Sequence, residues 1–198
     1  MNLALAEMQL PVRLKPESPI SDLELMRFCN ANSGLRVERE PNGDLLIMTP
    51  SGFKTSAMNV RVARLLSEWA ELDGRGISTG CDGGYTLPDT SMRAPYAALV
   101  ASDRLARLSD EQQEGFAPIC PDFIIELRSP ADRLPAIQEK MGHWIANGAK
   151  LAWLIDPRQR TVSIYRPEQE PEELTDPSSV QGNGPVRGFD LVMSRVWG

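Results

Sequence analysis

The stretch Asp122-Phe123-Ile124-Ile125-Glu126-Leu127-Arg128 limits the folds open to this chain more than any other. Phe123, Ile124, Ile125 and Leu127 leave no polar alternation, so this strand is expected to be central and buried on both faces. Ser129-Pro130 ends it, since proline gives the ladder no donor. Leu134, Ile137, Met141, Trp144 and Ile145 then recur at helical spacing over residues 134–147, and Gly148 closes that helix. Residues 150–155 and 161–165 read as further strands on either side of the turn Asp156-Pro157-Arg158-Gln159.

Upstream, Ser21-Asp22-Leu23-Glu24 is a capping box that opens a helix over residues 21–32. Residues 35–40 and 44–48 alternate around Pro41-Asn42-Gly43 and predict a hairpin. Met58, Val62, Leu65, Leu66 and Trp69 mark one face of a long helix that stops at Asp73-Gly74. Short strands are expected near residues 77–79, 84–87 and 94–100, then a short helix at 103–108. Residues 167–185, rich in Pro, Glu, Ser and Gly, are expected to be a long loop, with the acidic run 168–173 in solvent. This order predicts an α/β protein with a mixed central sheet flanked by helices. A chain of 198 residues suits one domain; residues 1–19 are expected to be an N-terminal extension and 20–198 the domain.

Composition narrows the function. No apolar run approaches the roughly 20 residues a membrane helix needs, and Met1 to Pro19 lack the layout of a secretion signal, so a cytoplasmic, membrane-free protein is expected. Cys29, Cys81 and Cys120 form no CxxC pair and are expected to be free thiols, buried or half-buried. His143 is the only histidine, which removes histidine-rich zinc sites and the histidine-metal nucleases; it is expected to be structural or at the surface. The net charge of −6 argues against tight stand-alone DNA binding, because phosphate neutralisation supplies most of that affinity. No phosphate-cradling glycine loop is present, and Gly80 to Gly84 lacks the dinucleotide spacing, so no organic cofactor is expected. Trp69, Trp144, Trp153 and Trp197 sit among Leu and Ile at core spacing rather than as a stacking platform.

The charged residue inside the central strand is Glu126, and strand periodicity puts Arg128 on the same face. Two readings stand side by side: a salt bridge, or a carboxylate that holds a hard divalent cation beside a phosphate-polarising cation. Phosphodiester hydrolysis through a metal needs a second carboxylate nearby. Asp122 shares the face but lies about 13 Å away, at about 3.3 Å per residue. Asp122 and Asp89 are expected to be cap or turn residues.

With these residues on the page, the chain resembles the bacterial putative restriction endonuclease family of the PD-(D/E)XK nuclease superfamily. The resemblance runs through blocks in order: Asp44-Leu45-Leu46-Ile47-Met48-Thr49-Pro50-Ser51-Gly52, Gly84-Tyr85-Thr86-Leu87-Pro88, Pro121-Asp122 through Ser129-Pro130, Lys140-Met141, Asn147-Gly148, Leu154-Ile155-Asp156-Pro157, Tyr165-Arg166-Pro167 and Gly188-Phe189 to Val196-Trp197. It implies a restriction-endonuclease-like core preceded by a helix and hairpin. It implies Glu126 as the metal ligand if any metal binds, Lys140 as the lysine that has moved to the following helix, and Arg128 in the usual lysine place. The second metal-binding carboxylate of the family, an Asp, falls in Arg93-Ala94-Pro95-Tyr96, where this chain has Tyr96. A Glu at the start of the long helix falls at Lys54.

A phenol with an ordinary pKa near 10 is a poor ligand for Mg²⁺ at neutral pH. The resemblance therefore implies a degenerate metal-dependent DNA nuclease of weak or no activity. The alternatives are an active endonuclease with altered ligands, which would use Mg²⁺, and a non-catalytic interaction module with no cofactor. In a degenerate site Glu126 and Lys140 would pair with each other. DNA, weakly held, and a second copy of the chain are the partners implied.

Overall fold

The computed structural model describes residues 11–197; the first ten residues of the expected extension lie outside it. In chain order the elements are β1 (Val12–Leu14), α1 (Asp22–Ala31), β2 (Arg36–Arg39), β3 (Leu45–Met48), α2 (Phe53–Asp73) and β4 (Gly76–Thr79). Then follow β5 (Tyr85–Thr86), β6 (Met92–Arg93), β7 (Ala97–Ala101), α3 (Ser102–Leu105), α4 (Asp110–Glu114) and β8 (Phe123–Leu127). The chain ends with α5 (Leu134–Ala146), β9 (Leu151–Asp156), β10 (Thr161–Tyr165), β11 (Glu172–Thr175), β12 (Ser179–Gln181), β13 (Asp190–Val192) and α6 (Ser194–Trp197). Among the described residues no helix is long and apolar enough to cross a membrane.

These elements form two compact units. The first holds residues through Ser51, Gly84–Ala94 and Leu108–Ile119. Its five-stranded sheet runs β1-β3-β2-β6-β5, so strand β1, from within the expected extension, pairs with β3. Ser21 caps α1 through the capping box, with its hydroxyl accepting from the Glu24 N–H and the Glu24 carboxylate accepting from the Ser21 N–H. Leu25, Val37, Leu45, Ile47 and Met92 form its apolar centre. Buried charge is matched within the same unit: Arg93 pairs with Glu38 and Glu40, each at 3.0 Å. Burial alone would lower the Arg93 pKa, but the two carboxylates outweigh it and hold the guanidinium above its ordinary value.

The second unit holds Gly52–Gly83, Pro95–Arg107 and the chain from Cys120 onward. Its six-stranded sheet runs β11-β10-β9-β8-β7-β4. Strand β8 pairs parallel with β9 and antiparallel with β7, which makes the sheet mixed, with β8 inside it as expected. One face carries Phe123, Ile125 and Leu127 beside Leu151, Trp153 and Ile155, packed against Val62, Leu66 and Ala70 of α2. Phe189 joins that core, stacked on Trp153 at 5.8 Å between ring centroids, and Phe123 meets Trp153 edge-on at 4.9 Å. Trp144 and Trp153 are fully buried, and Trp69 and Trp197 pack, partly buried, against the cluster that holds Trp153. Alternation along β8 sends Glu126 to the opposite face, where α5 lies.

The long loop expected at residues 167–185 is not wholly loop. It contains β11, antiparallel to β10, and β12, paired with β13. Only Leu174 in β11 packs against the core and only Val180 in β12 is buried, so neither strand carries the apolar alternation that would reveal it. Their order comes from neighbouring strand edges rather than from local periodicity.

Candidate active site

Glu126 is fourth in the fully buried strand β8 and is itself only 1% exposed. A buried carboxylate needs matched donors. Helix α5 supplies two: Lys140 Nζ stands 2.9 Å from Glu126 Oε1, and Trp144 Nε1 donates to the same oxygen at 3.1 Å. Lys140 and Trp144 are four residues apart, so one face of α5 delivers both. The helix is anchored on the same side by Ile137 and Met141.

Arg128 lies just past the end of β8 and takes a different partner. Its Nη1 donates to Asp156 Oδ2 at 2.6 Å, while Asp156 Oδ1 accepts the backbone N–H groups of Arg158 and Gln159. Arg128 thus braces the turn between β9 and β10. Tyr96 immediately precedes β7, whose first residue Ala97 pairs with Ile125, the neighbour of Glu126. The Tyr96 ring is 7% exposed and belongs to the apolar cluster with Val62, Leu66 and Ile125. Lys54, the second residue of α2, is exposed.

Asp122, expected to be a cap or turn residue, is a buried acid with several partners. It is fully buried, its Oδ2 accepts the Ala101 N–H at 2.9 Å, and it pairs with Arg104 at 2.9 Å and Lys150 at 2.8 Å. Burial pushes its pKa up, but Lys150, the Ala101 N–H and Arg104 together outweigh that and hold the carboxyl below its ordinary range. An acid directly before an apolar strand was the available signal, because such a position enters the sheet with the strand. Asp89 does sit in a turn, where its Oδ1 accepts from the N–H and hydroxyl of Ser91. His143 is half-buried and contacts Asn147 on its own helix. The three cysteines are free thiols, Cys120 buried and the others partly so.

Two buried polar residues on α2 also escape a reading by hydrophobicity alone. Thr55 and Asn59 are each 7% exposed and share helical spacing with buried Val62 and Leu66, so the core stripe of α2 turns polar toward its N-terminus. Among the described residues, no group of three or more His, Cys, Asp or Glu side chains is placed to hold a metal ion.

The family model described as Uma2, putative restriction endonuclease, matches residues 22–194. The chain belongs to this family. No curated protein matches the sequence. Among solved structures, a putative nuclease of the DUF820 group from Anabaena variabilis superposes with a TM-score of 0.73 at 22% identity. The match covers 90% of this chain and 98% of that one, and it supports the mixed α/β fold. Family membership and fold agree with the resemblance carried by the sequence blocks.

Proposed function

We propose that this chain is a degenerate member of the restriction-endonuclease-like family, with the fold retained and DNA cleavage weak or absent. The observation that carries the reading is the occupation of Glu126: Lys140 and Trp144 both address its Oε1. The family resemblance implies Mg²⁺, a hard cation that prefers several anionic oxygens. The residues at hand do not fit that ion. Glu126 is committed to an ammonium and an indole N–H, Tyr96 is drawn into the apolar cluster, and Lys54 brings a positive charge where the family has an acid.

The chemistry left to this chain's own residues is limited. Lys140 neutralises Glu126 as a cation would, without providing a coordination shell in which water is activated. With Arg128 engaged by Asp156, its contribution is bracing rather than phosphate polarisation. DNA remains the partner class favoured by family membership, held weakly because the chain carries net charge −6.

Calorimetric titration with Mg²⁺ and Mn²⁺ tests this, run on the natural chain, on Tyr96→Asp, and on Tyr96→Asp with Lys54→Glu, with plasmid nicking alongside. Metal binding and nicking confined to a repaired variant support the proposal. Metal binding and Glu126-dependent nicking by the natural chain would overturn it and assign an active enzyme with altered ligands. Failure of both repaired variants to bind metal would remove Tyr96 and Lys54 from the site.

A further inference from the structure

Helix α2 turns basic in an acidic chain. From Phe53 to Arg64 it carries Lys54, Arg61 and Arg64 and no acid, although the chain has net charge −6. Its first turn lacks the acidic residue that would complement the helix dipole, and Lys54 opposes that dipole. At about 100° per residue, Phe53, Lys54, Val60, Arg61 and Arg64 fall within roughly 120° of one another on the solvent face. Phe53 is 87% exposed and Val60 64%, an unusual display of apolar surface between cations.

Beside this face runs a groove of about 410 Å³. Asn59, Val60, Ala63 and Arg64 line it from the helix, and Thr79 and Cys81 from the end of β4 and the turn beyond. Asn59 is only 7% exposed, and its Oδ1 has no hydrogen-bond partner among the described residues. A buried amide oxygen without a donor costs stability, so the wall of the groove at Asn59 is not optimised for folding alone.

We propose that this face of α2 and its groove bind single-stranded DNA. The inference rests on the reading of the chain as a family member that still meets DNA, and it names where. Lys54 and Arg61 take phosphates, Arg64 adds to them although it also pairs with Glu68, and a base stacks on Phe53. A neighbouring base lies along the groove beside Val60 and Ala63. Charge selects a polyanion, and the exposed aromatic ring selects one whose bases are unpaired. Three cations, with Asp82 opposing them at the groove rim, are too few to hold a duplex by its backbone alone.

Fluorescence anisotropy with a labelled single-stranded oligonucleotide and its duplex, across a salt series, tests the proposal on the full chain. Tighter binding to the single strand is expected, with log affinity falling by about two for each unit of log salt, from about 0.7 per phosphate contact. Phe53→Ala and Arg61→Glu, both solvent-facing, are each expected to weaken binding about five-fold or more, and Arg61→Glu also flattens the salt slope. Circular dichroism melts confirm that both variants fold. Absence of single-strand binding at low salt, a preference for duplex, or variants that bind as the natural chain does would each overturn it. The metal titrations read Glu126, Tyr96 and Lys54, whereas the binding variants change only Phe53 and Arg61, so failure of one proposal is separable from failure of the other.

Discussion

The ammonium of Lys140 lies 2.9 Å from Oε1 of Glu126, a contact between one helix and the middle of a fully buried strand. Since Lys140 keeps 18% of its side chain exposed while Glu126 keeps 1%, the carboxylate is the partner that depends on the pair. Lys140→Met is expected to destabilise the fold by about 3 kcal/mol, the lower end for breaking a buried pair. Adding Glu126→Gln should recover part of that loss, because the stranded charge is then gone. Urea denaturation of the two single variants and the double variant measures the coupling; purely additive losses would refute it.

Asp122 gives stability a pH dependence with a definite sign. Its folded pKa lies below the ordinary value, so its contribution is intact above the unfolded value near 3.9 and disappears as pH falls through the folded value. Asp122→Asn is expected to cost about 2–3 kcal/mol at neutral pH, less than a fully buried pair because Arg104 and Lys150 reach solvent. The gap between natural and variant chains should narrow in acid. Denaturation midpoints at neutral and acidic pH read this directly, and a gap that widens in acid would reverse the sign.

Gly182 is fixed by its surroundings. A Cβ there would overlap the carbonyl oxygen of Val186 and lie 3.1 Å from that of Phe189, and backbone cannot step aside as a flexible side chain does. The Gly182 N–H also donates to the Phe189 carbonyl at 2.7 Å, on the segment that brings Phe189 into the core. Gly182→Ala is expected to lower stability by about 1–3 kcal/mol, seen as a drop in melting temperature with quenching or shift of tryptophan emission.

Ser21→Ala removes one half of the capping box on α1 and should cost about 1 kcal/mol. Ser21→Asp, which still accepts from the N–H of residue 24, should retain most of that stability. Equal losses in both variants, by thermal melt, would argue against the cap.

Much of the fold is legible where burial imposes a period. Strand β8, helix α5 and the hairpin β2–β3 all show it, because each buries a whole face or stripe. Strands β11 and β12 lack it, since an edge strand can be held by backbone pairing with a single apolar residue turned inward. Helix α4 carries a local signal in its Ser109–Gln112 capping box, but too few apolar residues to mark its length. At the candidate site, Glu126 stands out as a charge in an apolar run. The spacing of Lys140 and Trp144 reads as helix packing, yet it also aims two donors at one oxygen. Asp122 and Asn59 are harder to see, because their partners or lack of them depend on tertiary neighbours rather than on adjacent sequence.

The two compact units are assembled from interleaved stretches, the chain passing from one to the other after Ser51, Gly83, Ala94, Arg107 and Ile119. No single truncation therefore yields either unit by itself. A gene fragment cut at any one of those points encodes part of one sheet without all of its partners, so fragment expression is a poor route to either half. Added sequence at one of these crossings, by contrast, falls between stretches of the two units and breaks no strand or helix of either.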